Sequence, residues 1–474
     1  MHRPIRTVAM AAAAAALLGG CVSLAPKDQR PAAPIPAAWP QGPAYPTPSS
    51  APQAAADLAW REVFVDPKLQ SVISEALANN RDLRVAMLNV SAARAEFQVQ
   101  RAALFPTITG SVGLSRQHIP AAAYGFKSAG SLDGRAYNVT AGISQYEVDL
   151  FGRVRSLTKA AFEQYLASGE ARQGAQITLI AETATDYLAL GADRERLRVA
   201  QDTLQAQQAS LDLTQGRFKA GIASELDLRQ AETTVDQARA QVAAYVTQVA
   251  QDRNALELVV GAPVRDDLLP GSLDGPSPVL ADIPAGVSSD VLLRRPDVLQ
   301  AEHQLKAMNA DIGAARANFF PTLSLTGAGG TESSGLSGLF SAGSGAWSFA
   351  PSLAQPIFDW GANRGRLAYA KAERDIAVAT YEKAVQTAFR ETADALARRG
   401  TIGDELAADQ ANVRASQTSL DLTTARYKRG VDPYLDTLVA EQNLYAAQQS
   451  CITTKLALYA NLVALYEALG GGVK

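Results

Sequence analysis

The chain contains two copies of one stretch of about 50 residues, a length that exceeds the usual repeat of a solenoid protein. Residues 211–261 begin LDLTQGRFKAGIASELDLRQAE, and residues 420–470 begin LDLTTARYKRGVDPYLDTLVAE. The copies align without a gap, so they indicate one internal duplication and not an array of short repeats. Any fold of this chain must therefore accommodate two equivalent units.

Each copy has an apolar residue at every seventh position on both sides of a short turn. Before the turn, the series is Leu197, Leu204, Leu211 and Phe218 in one copy, and Leu406, Val413, Leu420 and Tyr427 in the other. Such a repeat predicts helices that wind around each other in a left-handed supercoil. The glycines of the turns favour a chain reversal, which predicts a helix, a tight turn and a returning helix. The core of an ordinary helical bundle fits the periodicity equally well.

The N-terminus has the pattern of a bacterial lipoprotein signal. Two arginines precede an apolar run from Val8 to Leu18, which has the length of a signal-peptide core and is too short to span a bilayer. The run ends in Leu18-Gly19-Gly20-Cys21, which resembles a lipobox and predicts lipidation of Cys21. The alternative is an ordinary signal peptide followed by a chance cysteine. Val22 favours the outer membrane as the destination.

Composition excludes several classes of function. A net charge of −3 gives no electrostatic reason to expect a nucleic acid partner. The three histidines and two cysteines do not have the spacing of metal ligands, so no metal site and no cofactor are predicted. No catalytic constellation of Ser, His and Asp, of paired carboxylates or of a phosphate-binding loop is present at a plausible spacing, so no enzyme is predicted.

Two regions change from a helical period to strict alternation of apolar and polar residues. They follow the matching tripeptides Phe105-Pro106-Thr107 and Phe320-Pro321-Thr322, and they predict β-hairpins at 105–150 and 320–358. The second hairpin is predicted to contain a Gly/Ser-rich loop from Gly327 to Gly345. A soluble sheet lying on a helical layer is the alternative, but the flanking helices offer no face for the strands.

Four strands of about ten residues have the length of membrane-spanning strands, yet four strands cannot close a barrel. Open strand edges are not tolerated in lipid. The chain is therefore predicted to share a barrel with other copies of itself, with eight strands in a dimer or twelve in a trimer. The long helices of the same oligomer would form a tube that continues from the barrel. A tube of this kind indicates that molecules pass through the protein.

These features divide the chain into five predicted segments. They are a signal peptide at 1–20, a lipid-anchored Pro/Ala-rich tether at 21–59, a first repeat at 60–263 with its turn near 216–224, a linker at 264–286, and a second repeat at 287–474 with its turn near 426–433.

Four motifs carry a resemblance to a known family. They are LRRPDVLQAEHQLKAMNADIGAARANFFP, YEVDLFGR, QPIFDWGANRG and the paired RF/Y-x-x-G turns. Together they resemble the TolC/OprM-like outer-membrane efflux family, in its lipoprotein branch. The resemblance implies a mainly α fold with β: a homotrimer whose twelve-stranded outer-membrane β-barrel continues into a periplasmic α-helical barrel. It implies a passive exit duct for drugs and toxic compounds, supplied by an inner-membrane transporter through a periplasmic adaptor.

The resemblance also implies roles for residues at the two turns. The residues expected to dock the adaptor are Arg217, Phe218, Lys219, Gly221, Lys428 and Gly430. The residues expected to form a periplasmic gate are Leu435, Asp436, Tyr427 and Arg426. Relatives often place a further aspartate where this chain has Val439, so a double acidic constriction is not expected. For the charged residues, the alternatives are a solvated edge of a turn or, for Asp436, a cap of the returning helix.

Other functions fit part of the sequence. Within the same class, the duct could serve type I protein secretion or metal export. A non-conducting periplasmic coiled-coil lipoprotein would explain the heptads and Cys21 but not the amphipathic hairpins.

Overall fold

A computed structural model describes residues 23–45, 59–120, 131–273 and 289–471. The predicted signal peptide and Cys21 lie outside these ranges. The helices and strands in chain order are α1 (Trp60–Val63), α2 (Pro67–Asn79), α3 (Arg81–Ala102), β1 (Ile108–Pro120), β2 (Ser131–Val148), α4 (Arg153–Lys219), α5 (Glu225–Val260), α6 (Pro296–Ala317), β3 (Thr322–Ser333), β4 (Gly345–Ala354), α7 (Ala362–Lys428) and α8 (Tyr434–Ala468).

The duplication is visible in the helix lengths. Helices α4 and α7 each have 67 residues, and their returning helices α5 and α8 have 36 and 35 residues. Together with the four strands, these helices confirm the predicted mainly α fold with β. None of the helices in the described ranges is both long and apolar enough to cross a membrane.

The four strands form one antiparallel sheet in the order β1-β2-β3-β4. Strand β2 pairs with β3, so the sheet joins the two halves of the duplicated chain. The predicted loop from Gly327 to Gly345 is wrong in its first part, because β3 continues to Ser333. Glycines are normally poor strand formers, but here they fit a close approach of backbones: a Cβ atom on Gly330 would lie 2.0 Å from the carbonyl oxygen of Val139.

One face of this sheet is apolar and the other is small and polar. Residues directly opposite each other in an antiparallel pair point to the same face. The apolar face contains the register pairs Ile108–Ile143, Val112–Val139, Leu114–Tyr137, Leu323–Leu353, Gly327–Phe349 and Gly329–Trp347. The opposite face contains the pairs Ser111–Thr140, Thr140–Gly330 and Ala328–Ser348. The apolar side chains are open to solvent in the single chain, with Val112 81% and Trp347 83% exposed.

The chain divides into two compact units. Of the described residues, those within 1–31, 90–168 and 301–381 form the sheet unit, and those within 32–89, 169–300 and 382–474 form the hairpin unit. In the sheet unit, small residues allow helices to pack closely, as where Ala160 contacts Ala307 and Ala310. This packing explains why alanine is abundant in a chain with few aromatic residues.

The hairpin unit has a conventional apolar core. Phe64, Leu69 and Ile73 are fully buried, and the ring of Phe64 meets the edge of the Tyr466 ring at 5.3 Å. The same unit contains a buried guanidinium group. Arg295 donates to the Ala468 carbonyl at 2.7 Å and forms ion pairs with Asp297 and Glu391. This arginine, the second of the RRPD motif, therefore holds the end of α8 in place.

The part of the predicted tether that the structure describes has no helix or strand, and it is held against the helices. In the sheet unit, Arg30 pairs with Glu302 at 2.7 Å, and Arg316 donates to the Leu24 carbonyl at 2.8 Å. In the hairpin unit, Trp39 stacks on Phe389 with ring centroids 5.0 Å apart. Residues 23–45 are thus fixed by specific contacts.

Candidate functional site: the two hairpin turns

The two helical hairpins of the hairpin unit reverse through turns of the same geometry. Gly221 and Gly430 have φ angles of +72° and +75°, which favour glycine. Ile222 donates to the Arg217 carbonyl at 2.8 Å, and Val431 donates to the Arg426 carbonyl at 3.0 Å. The glycines themselves donate to Phe218 and Tyr427, three residues back, at 2.9 Å each, and the two bonds together make each turn a Schellman motif. The turns end α4 and α7 at equivalent residues.

The returning helices begin differently. Helix α5 has a capping box, in which Ser224 accepts from the Asp227 amide at 3.1 Å and Asp227 accepts from the Ser224 amide at 2.9 Å. Helix α8 begins after Pro433, whose side chain makes no capping bond. The start of α5 therefore has a stabilising contact that is missing at the start of α8, and such caps typically contribute about 1 kcal/mol.

An apolar cluster beneath the turns joins the two hairpins. It consists of Leu211, Ala231, Val235, Tyr427, Tyr434 and Leu438. The two tyrosine rings have centroids 5.4 Å apart, and their hydroxyls lie 3.4 Å from Thr214 and Ser210 on α4. Tyr427, which is one of the predicted gate residues, is thus buried in this cluster.

Arg217 and Arg426 occupy equivalent positions in the duplication but contact different partners. The Arg217 guanidinium lies 4.5 Å from the centre of the Tyr427 ring and donates to the Tyr427 carbonyl at 3.1 Å, so it links the two hairpins. Arg426 forms a two-pronged ion pair with Asp432 at 2.5 and 2.8 Å, within its own turn. This bond to Arg426 lowers the pKa of the Asp432 carboxyl below its ordinary value.

The remaining predicted site residues are on the surface of the single chain. Leu435 is 51% exposed and Phe218 is 40% exposed. Asp436, Lys219, Lys428, Gly221 and Gly430 are exposed as well. The apolar side chains Ile222 and Val431, which follow the two glycines, are 67% and 60% exposed. The tips therefore present apolar residues next to lysines. Within the described ranges, no group of three or more His, Cys, Asp or Glu side chains could hold a metal ion.

Sequence reasoning missed three residues of this site: Asp432, Tyr434 and Glu441. Asp432 is six residues after Arg426 and directly follows Val431, whose amide closes the Schellman turn, so the spacing could have suggested the ion pair. Tyr434 is the first residue of α8, directly after Pro433, and the seven-residue series of α7 does not extend to it. Glu441 aligns with Glu232 in the other copy, and this alignment concealed its different environment.

Glu441 is a half-buried residue on α8, and the Oε2 atom of its carboxyl group is buried. Burial raises its pKa to about 7, and its Oε2 atom has no hydrogen-bond partner within the described structure. Its counterpart Glu232 is 35% exposed and accepts from Arg229 at 2.9 Å. The second hairpin therefore has a carboxyl group with a raised pKa at the position where the first hairpin has a paired glutamate.

We expect Glu441→Gln to stabilise the second hairpin at alkaline pH. A carboxyl whose pKa rises on folding costs stability as pH increases from its ordinary value of 4.5 to about 7, and the cost persists above that pH. A pKa shift of this size lowers the free energy of unfolding by about 3 kcal/mol once the carboxyl group is ionised. Hydrogen exchange of α8 should thus be slower in the variant at alkaline pH and similar to wild type in acid. Glu232→Gln is the control, and an equal effect of both variants would contradict the prediction.

Comparison with known proteins places this architecture in a family. A family model described as outer membrane efflux protein matches residues 72–262 and 287–471. The chain is 46% identical to the toluene efflux pump outer membrane protein TtgC of Pseudomonas putida, over 97% of this chain and 94% of TtgC.

Two solved structures have the same fold. The crystal structure of a membrane protein from Pseudomonas aeruginosa is 43% identical, with a TM-score of 0.88 over 95% of this chain and 98% of that chain. The open state of the MtrE outer membrane channel of Neisseria gonorrhoeae is 38% identical, with a TM-score of 0.85 over 96% and 99% of the two chains.

The chain therefore belongs to the outer membrane efflux protein family. This confirms the resemblance to TolC/OprM-like proteins and the class of function predicted from the sequence, an outer membrane efflux channel. The family consists of passive channels and not of enzymes.

Proposed function

We propose that this chain is the exit duct of a tripartite efflux pump and that it works as a homotrimer. The observation that supports this proposal is the four-stranded sheet with one apolar face and two unpaired edge strands, β1 and β4. Three copies supply twelve strands, and pairing β1 of each copy with β4 of the next removes every open edge. Small apolar compounds such as toluene, for which TtgC is named, are the proposed cargo.

Three measurements test the duct. Purified protein in a planar bilayer should give single-channel currents, and its cross-linked oligomer should have three chains. Deletion should sensitise cells to solvents and drugs, and the wild-type gene should restore resistance. A stable monomer without currents would instead support the non-conducting lipoprotein.

We propose that the exposed tips dock a periplasmic adaptor through Lys219 and Lys428. Both lysines are exposed beside the apolar residues of the tips, and interfaces of this kind combine an apolar centre with a charged rim. Phe218, Gly221 and Gly430 shape the same surface. Arg217 is part of the same proposed docking surface, and because it contacts Tyr427 we propose that it also holds the two hairpins together.

Charge reversal tests the docking surface. Lys219→Glu combined with Lys428→Glu is expected to reduce cross-linking to the adaptor about tenfold while leaving oligomer assembly unchanged, because rim charges act mainly on encounter. Reversal of Arg198, an exposed residue of α4 outside the turns, is the control. Undiminished cross-linking of the double variant would rule out this surface.

We propose a periplasmic gate at Leu435 and Asp436, near the start of α8. Both side chains are exposed in the single chain, so neither is needed for its core. In a closed ring, three copies of an aspartate would impede anions and narrow the aperture. Asp436→Ala is expected to raise the conductance of the closed channel about twofold or more, as measured in planar bilayers, through loss of this ring. Unchanged conductance would remove Asp436 from the gate.

We propose that lipidated Cys21 anchors the chain at the helix-proximal end of the sheet. Leu24 is held by Arg316, the penultimate residue of α6, and β3 begins a few residues later. Three residues span at most about 10 Å, so an acyl chain on Cys21 would begin close to this end of the sheet. Mass spectrometry of the mature N-terminus tests the anchor, and an unmodified cysteine would disprove it.

A further inference from the structure

Two arginines lie opposite each other on the first β-hairpin, just beyond the apolar face of the sheet. Arg116 on β1 pairs in register with Arg135 on β2. On this face of the sheet, they are the next pair after Leu114 and Tyr137. Because alternate residues of a strand share a face, both arginines point the same way as Val112 and Val139. The apolar face thus ends in two positive charges.

This arrangement is unfavourable without an anion. Like charges directly opposite each other destabilise an antiparallel pair. Both arginines are exposed, and neither makes an ion pair or hydrogen bond within the described residues. The nearest carboxylate on this face, Asp133, lies 2.6 Å from His118 in the next register pair and is therefore already engaged. The two guanidinium groups together form an exposed surface with two positive charges.

Their place in the fold indicates which anion they meet. The chain enters β1 from α3 and leaves β2 into α4 at one end of the hairpin, and the arginines lie toward the opposite end. In an outer-membrane channel whose helices are periplasmic, that opposite end is at the outer leaflet. Arginines that face outward at the margin of the apolar band would meet lipid headgroups there.

We propose that Arg116 and Arg135 bind the phosphate groups of phosphorylated lipids in the outer leaflet. Guanidinium groups bind phosphate through paired, charge-assisted hydrogen bonds, and a phosphate between the two strands neutralises their repulsion. The leaflet facing the cell exterior carries phosphorylated glycolipids, so the ligand is part of the membrane and not a soluble anion. This inference rests on the proposed outer-membrane function.

Native mass spectrometry of the purified oligomer tests the site, with diphosphorylated lipid A and its dephosphorylated form as probes. Wild-type protein is expected to prefer the phosphorylated lipid. Arg116→Gln combined with Arg135→Gln should weaken its binding about tenfold and leave binding of the dephosphorylated lipid unchanged. Arg198→Gln combined with Arg239→Gln is the matched control, because both of these arginines are exposed and lie on the helical hairpin.

Equal binding of the two lipids by wild-type protein would overturn the inference, and so would full retention of phosphorylated lipid by the Arg116/Arg135 variant. The comparison of lipids on wild-type protein decides the question even if that variant does not assemble. Single-channel currents from the same preparation report separately on the duct. Currents without a lipid preference would overturn the lipid site alone, whereas a preference without currents would support the site and overturn the duct.

Discussion

Gly330→Val is expected to abolish assembly of the channel. A Cβ atom at this position would lie 2.0 Å from the Val139 carbonyl oxygen and 2.7 Å from the Thr140 Cα atom. These are backbone atoms of β2, which pairs on its other side with β1, so they cannot move away without loss of the register. Overpacking of a core by methyl groups typically costs about 1–3 kcal/mol, and a clash with backbone atoms costs more.

The adjacent glycine provides a control of the same residue type. Gly329 points to the apolar face, and a Cβ atom there would have no heavy atom within 4 Å. Gly329→Val should therefore assemble normally. The measurement is the yield of heat-resistant oligomer extracted from membranes with detergent. Normal assembly of Gly330→Val, or equal failure of both variants, would show that the close approach of β2 and β3 does not limit assembly.

The sheet shows which strands can be predicted from the alternation of apolar and polar residues and which cannot. Strands β1, β2 and β4 have large apolar residues at alternate positions, so the sequence predicted them. The second half of β3 is formed by Gly327, Ala328, Gly329, Gly330 and Thr331, which on composition resembles a loop. Gly330 fits the close approach of the backbone of β2, and this contact between distant parts of the chain is not encoded in any local pattern.

The candidate site could be predicted in position but not in its contacts. The glycines and the seven-residue repeat located both turns, because a positive φ angle and a heptad have local sequence signatures. Duplication then suggested equivalent roles for Arg217 and Arg426, and for Glu232 and Glu441. The structure gives each pair different surroundings, since a side chain's burial and partners depend on packing between helices.

These differences make the two hairpins unequal. The first has a capped returning helix and a glutamate paired with an arginine, whereas the second lacks the side-chain cap and has a half-buried glutamate with a raised pKa. The start of the second returning helix is therefore the less stable of the two. A contact from the first hairpin, made by Arg217, holds the end of α7, which precedes this start.

Arg217→Ala is accordingly expected to release the second hairpin and open the periplasmic end of the channel. The variant loses a cation–π contact with the Tyr427 ring and a charged hydrogen bond to the Tyr427 carbonyl. A cation–π contact typically stabilises a protein by about 0.5–2 kcal/mol, and a hydrogen bond from a charged group adds to this. A combined loss of about 2 kcal/mol would raise the population of the released state more than tenfold.

The closed-state conductance in planar bilayers measures this release. It should rise in Arg217→Ala and rise less in Arg217→Lys, because an ammonium keeps the charge but cannot stack its plane on the ring. Lys219→Ala, two residues away and exposed, should behave as wild type. Tyr427→Phe should also remain closed, because the ring and the carbonyl are the atoms that Arg217 contacts. If Arg217→Ala and Lys219→Ala conduct alike, the contact between the hairpins does not hold the channel shut, and closure must depend on contacts between copies of the chain.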